Sequence, residues 1–77
     1  MNESSPVLDD AVYHRTHKGQ WVVMADHLHL EALERRVLLL VNGITPLKAL
    51  ARVAGAPLAD FEKTAALLLQ QGLIEPV

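Results

Sequence analysis

Residues 33–75, LERRVLLLVNGITPLKALARVAGAPLADFEKTAALLLQQGLIE, hold three amphipathic periods separated by residues that begin or end helices. The first period runs from about Leu30 to Val41. At 100° per residue, Leu30, Leu33, Val37, Leu40 and Val41 fall on one stripe, while Glu31, Glu34, Arg35 and Arg36 fall elsewhere. Asn42-Gly43 follows, and glycine accepts the left-handed conformation that closes a helix and satisfies its last carbonyls. A helix ending at this point, with Gly43 at positive φ, is the expectation.

Thr45-Pro46 supplies a hydroxyl able to accept a bond from an early helical N–H, then a ring that fits the first helical position. The second helix presents Leu47, Leu50, Ala51 and Ala54 on one side and Lys48 and Arg52 on the other, and Gly55 ends it. So short a helix depends on its neighbours. Pro57 opens the third, with Asp60 and Glu62 near the positive end of its dipole. Its predicted buried stripe is Leu58, Phe61, Ala65, Leu68 and Leu69; Gly72 closes it, and Leu73 is placed to pack back.

Helix, glycine-containing turn, short helix, four-residue turn, longer helix and then the strand-like Leu73-Ile74-Glu75 resembles the winged helix-turn-helix superfamily. The resemblance makes Thr45 to Val53 the first helix of the motif, Gly55-Ala56-Pro57 its turn and Leu58 to Gln71 its recognition helix. It covers a little over half of the chain and carries no invariant chemical motif. Because Val77 is the last residue, a single strand is expected in place of the usual two-stranded wing. The fold class is therefore mainly α: a three-helix, winged-helix-like core with a short or absent wing and either a small N-terminal hairpin or an extra helix.

The 77 residues, 51 % hydrophobic, suffice for one small domain. Cysteine is absent, which excludes a disulfide framework and thiol chemistry. The longest apolar run, Val37 to Val41, is far too short to cross a membrane. MNESSPVLDD lacks the basic and then apolar pattern of an export signal, so a cytoplasmic, bacterial-type protein is expected. Residues 1–11 read as a flexible tail and residues 12–77 as the domain.

Two readings fit Val12 to Met24. In one, Val12 to Arg15 and Gln20 to Val23 are strands turning through His17-Lys18-Gly19, with Leu73 to Glu75 as a third strand; Trp, Val and Tyr favour it. In the other, Thr16 caps a helix through Met24 to Asp26, and Trp21, Met24 and Leu28 face inward. Tyr13, Arg15, Thr16 and Gly19 form a Tyr-x-Arg-Thr-x-x-Gly phrase that resembles the start of short uncharacterised bacterial proteins continuing into a helix-turn-helix. That resemblance implies the helix.

Catalytic and metal chemistry find no support. His14, His17, His27 and His29 lie near Asp26, but their spacing matches no zinc pattern, and surface histidines are the simpler reading. Ser4 and Ser5 sit in the tail, Asp60 and Glu62 lie on a helix without a pocket-forming loop, and there is no glycine-rich phosphate cradle. The expectation is a non-catalytic protein with no cofactor.

Binding remains, and charge discriminates between partners. From Thr45 to Gly72 three cations, Lys48, Arg52 and Lys63, stand against two anions, and the whole chain carries −2. DNA recognition needs several cations on phosphates, whereas the recognition helix here begins Pro57-Leu58-Ala59-Asp60-Phe61-Glu62. Leu67 lies about 180° from Leu58 and Leu39 about 180° from the first stripe. For Leu39, cover by the N-terminal segment is the expectation; Leu67 has a mixed rim of Lys63, Thr64, Gln70 and Gln71, as protein interfaces often do. The predicted interface is therefore Lys48, Arg52, Lys63, Thr64, Leu67, Gln70 and Gln71, and the predicted partner is another protein or a second copy, ahead of DNA, with no membrane. A third candidate is the class of leader-peptide recognition elements typified by the peptide chaperone of pyrroloquinoline quinone synthesis. Those elements begin with a hairpin, so this candidate requires the hairpin reading of Val12 to Val23.

Overall fold

The computed structural model describes residues 10–25 and 30–77. Its elements are β1 (Tyr13–Arg15), α1 (His17–Ala25), α2 (Ala32–Leu40), α3 (Leu47–Ala54), α4 (Leu58–Gln70) and β2 (Ile74–Pro76). The fold is mainly helical, with one small antiparallel sheet in which Tyr13 pairs with Pro76, His14 with Glu75 and Arg15 with Ile74.

Neither reading of residues 12–24 holds in full. The strand expected at Leu73 to Glu75 forms one residue later and pairs directly with β1, while His17–Ala25 is helical, so the hairpin is absent. Thr16 decides this locally. Its Oγ1 accepts the Gly19 N–H at 2.9 Å, which caps the first turn of α1, and donates to the Gly72 carbonyl at 2.6 Å. The Thr16 N–H continues the sheet by donating to the Leu73 carbonyl at 3.0 Å.

Gly19 is the point of closest approach: a Cβ there would overlap the Leu73 carbonyl oxygen. That approach turns Gly19 and Val22 inward and leaves Trp21 51 % and Met24 76 % exposed, contrary to the expectation that both face the core. Leu28, the tail residues 1–9 and the histidines His27 and His29 lie outside the described residues. Ala11, assigned to the tail, belongs to the fold, because its carbonyl accepts the Leu47 N–H at 2.9 Å.

The segment from Ala11 to Thr16 is hydrogen-bonded along both edges. Toward β2, the Val77 N–H donates to the Val12 carbonyl; on the other side, the Gly43 N–H donates to the Tyr13 carbonyl, and Val12 forms a bridge with Pro46. This explains two departures around the loop between α2 and α3. Helix α2 ends at Val41 in an extended conformation, so Gly43 does not cap it; its φ of +78° instead aims an N–H at Tyr13. Thr45 does not cap α3 either. Asn42 Oδ1 accepts the Ile44 and Thr45 N–H groups, Asn42 Nδ2 donates to the Thr45 hydroxyl, and the first N–H of α3 goes to Ala11.

The core combines Tyr13 and Val22 with Val37, Leu38, Val41, Leu47, Leu50, Ala51, Phe61, Ala65, Leu68, Leu73 and Ile74. Leu38 was outside the predicted stripe of α2, and α1 buries it. Leu39 keeps 51 % exposure, so the cover expected from the N-terminal segment falls on its neighbour instead. In α4 the buried seam is Phe61, Thr64, Ala65 and Leu68, rotated toward Thr64, with Leu58 and Leu69 partly buried.

Candidate interaction surfaces

The predicted interface residues separate into two strips and one exception. Lys48 and Arg52 are exposed one turn apart on α3, and Lys63, Gln70 and Gln71 are exposed along α4 with Leu67 among them at 43 %. Thr64 is the correction: at 8 % exposure it lies in the seam of α4 with Phe61 and Leu68, so the rim around Leu67 is Lys63, Gln70 and Gln71. On the flank of the same helix, Ala66, Leu69 and Gln70 join Pro76 of β2 in lining an open groove of about 470 Å³. No single residue in the sequence marks this groove, which forms where β2 folds back beside α4.

The cations are the second element of the electrostatics. Arg15 donates from Nη1 to the carbonyls of Leu38 (3.0 Å) and Leu39 (3.2 Å) and from Nε to Gln20 Oε1 (2.8 Å). Arg36 Nη1 donates to the Ala54 carbonyl at 3.2 Å, and Lys18 Nζ to the Gln71 carbonyl at 3.0 Å. The ends of α2, α3 and α4, where carbonyls lack partners and the dipole is negative, are thus each met by a cation from another element. Three of the chain's seven Lys and Arg residues serve helix ends in this way. Asp60 stands exposed at the positive end of α4, where it stabilises the helix and would oppose an approaching phosphate.

A second open groove, about 410 Å³, runs along the outer side of α2 between Ala32, Arg35, Arg36, Leu39 and Leu40. Its signal was present in the sequence as Leu39, opposite the buried stripe. On the exposed side of the sheet, His14 Nε2 lies 3.3 Å from Glu75 Oε2, a cross-strand pair with both side chains about half exposed. Among the described residues no three His, Asp or Glu side chains converge as metal ligands; Asp26, His27 and His29 are not among those residues. No described helix is long and apolar enough to cross a membrane. Compared with protein-family models, curated proteins and solved structures, the chain has no match in any of the three.

Proposed function

We propose that this protein is a small non-catalytic binding module that works by contact with another protein or with a second copy of itself. Helices α2, α3 and α4 are read as a helix-turn-helix unit of the winged-helix type, with α4 in the position of the recognition helix and β2 standing in for the wing. The observation that carries the reading is Leu67, left 43 % exposed with Lys63, Gln70 and Gln71 around it and the Ala66–Leu69–Pro76 groove on the flank of the same helix. A partly apolar centre with a polar rim suits a protein surface better than a phosphate backbone.

A second reading, DNA binding, is favoured by one observation: Lys48, Arg52 and Lys63 are all exposed on the two helices that would carry it. Against it stand the acidic start of α4 and the use of Arg15, Lys18 and Arg36 at helix ends. The leader-peptide reading requires a hairpin across residues 12–23, and His17–Ala25 is helical.

Leu67→Glu tests the first reading. A carboxylate at this position would be desolvated against any partner, so sedimentation velocity should show loss of self-association, or pull-down loss of the bound protein, with the helical circular dichroism intact. An assembly that survives the substitution would remove the α4 strip from the interface.

A further inference from the structure

We propose that Asn42 is a deamidation site held shut by β1, and that a chain which loses this contact is marked there irreversibly. Asn42-Gly43 is the sole Asn-Gly step in the sequence. Glycine has no Cβ, so its backbone nitrogen can swing onto the carboxamide of the preceding asparagine, a movement that a bulkier residue hinders. In that reaction the Gly43 nitrogen gives up its proton and bonds to Asn42 Cγ, and the Cγ–Nδ2 bond breaks. The departing nitrogen takes up the proton and leaves as ammonia. Water then opens the cyclic imide at either carbonyl, to give an aspartyl or an isoaspartyl residue.

Solvent reaches the position, since Asn42 is exposed and Gly43 half-buried. What the fold withholds is the nucleophile. The Gly43 N–H donates to the Tyr13 carbonyl at 2.9 Å, and Tyr13 is itself buried in the core. A hydrogen bond to the protonated form disfavours loss of the proton. The same bond, with φ at +78°, fixes the peptide plane that has to turn for attack. The carboxamide is held as well: Oδ1 accepts the Ile44 N–H at 2.9 Å and the Thr45 N–H at 2.8 Å, and Nδ2 donates to Thr45 Oγ1 at 3.0 Å. These bonds pull two ways. The pair at Oδ1 would stabilise charge gathering on that oxygen during attack, as an oxyanion hole does, whereas the bond from Nδ2 restrains the leaving group. Neither counts until the Gly43 nitrogen is free, so the bond to Tyr13 is the gate.

The product prevents reclosing. An aspartyl residue keeps acceptors for the Ile44 and Thr45 N–H groups but has no donor for the Thr45 hydroxyl. An isoaspartyl residue routes the main chain through the side-chain carbons and lengthens it, so the Gly43 N–H no longer falls opposite Tyr13. The other main-chain ties on that edge of the strand, Ala11 with Leu47 and the Val12 bridge to Pro46, lie further back along it. The isoaspartyl chain therefore keeps its helices and loses one attachment of β1. No residue of α4 takes part, so this inference stands independently of the proposed role of Leu67.

The test incubates the full chain, folded and in urea sufficient to unfold it, in one mildly alkaline buffer, and follows ammonia release and the peptide mass around Asn42. Conversion is expected in urea, and in the folded chain it should be at least about tenfold slower. Hydrogen exchange of the folded chain gives a second readout. Suppression of deamidation should match protection of the Gly43 amide to within about threefold, because both need the same opening. Thr45→Val frees Nδ2 and spares the bond to Tyr13, so it should change the folded rate by less than about threefold. Gly43→Ala should slow conversion in urea, where folding plays no part. The isoaspartyl product, separated and refolded, should keep its helical circular dichroism and lose protection at Gly43. Equal rates in the folded and unfolded chains, no conversion in urea, or suppression without protection of Gly43 would each overturn the proposal. So would a rate raised about tenfold by Thr45→Val with Gly43 protection unchanged, or full protection of Gly43 in the isoaspartyl form.

Discussion

Around β1 and α1, Arg15 and Lys18 donate to main-chain carbonyls at Leu38, Leu39 and Gln71, and Tyr13 and Val22 are buried; on the outer strip of α4, Lys63 and Gln70 stay exposed and Leu67 remains 43 % accessible. Similar side chains serve opposite ends in the two regions. In the N-terminal region they close the domain, tying a strand and a helix to the ends of two helices, α2 and α4. On α4 they are left over after the core is complete. Substitutions near β1 should therefore change stability, and substitutions on the α4 strip should change binding with little effect on stability.

The largest effect expected lies beneath both regions. Phe61 is fully buried, and Phe61→Ala should cost about 3–5 kcal/mol in urea unfolding, enough to unfold most of so small a domain. Near-wild-type stability would contradict the α4 seam. Next is Gly19→Ala. In an isolated helix this change adds about 1 kcal/mol, but here the new methyl group meets the Leu73 carbonyl, and a net loss of about 1–3 kcal/mol is expected. A gain in melting temperature would mean that α1 does not sit against Leu73.

Gly43→Val should cost about 1–2 kcal/mol, because φ is +78° there and the nearest atoms, on His14 and Val77, leave ordinary room for a Cβ. The effect is one of backbone strain, so Gly43→Ala should be similarly harmful. The smallest pair sharpens the comparison most. Arg15→Met keeps an unbranched stem and loses the bonds to Leu38 and Leu39, for an expected cost of about 1 kcal/mol. Lys63→Met, on the exposed strip, should stay within about 0.5 kcal/mol. Equal costs in thermal melts would erase the distinction between the two regions.

The same division explains how much could be read from the sequence. Helices α3 and α4 and the existence of α2 were legible, because Pro46, Gly55 and Pro57 act on their own backbone and the apolar positions recur at helical spacing. The N-terminal region was not, since its decisive partners are remote in the chain: Thr16 bonds to Gly72 and Arg15 to Leu38. Trp21 and Val22 favour strands by propensity, and tertiary bonds override that preference. One local signal was available. Gly19 and Val22, three residues apart, mark the face by which α1 can approach closely, and Trp21 and Met24 then fall outside.

For the candidate interface, Leu67, Lys63, Gln70 and Gln71 were legible from the wheel of α4 and Lys48 and Arg52 from that of α3. Thr64 was misplaced because a threonine counts as polar in a periodicity, although it fits a helix seam of modest width. The grooves beside Pro76 and Leu39 depend on what neighbouring elements leave uncovered, and periodicity alone does not report that.

The central claim, that the exposed strips of α3 and α4 meet protein and do not read phosphate, is tested most directly by titrating the full chain into a labelled random-sequence DNA duplex over a range of salt. With only Lys48, Arg52 and Lys63 exposed on these helices and Asp60 at the start of α4, no binding tighter than about 10 μM near physiological salt is expected. Submicromolar affinity that falls steeply with salt and disappears when Lys48, Arg52 and Lys63 are replaced together by alanine would contradict the claim and establish DNA as the ligand.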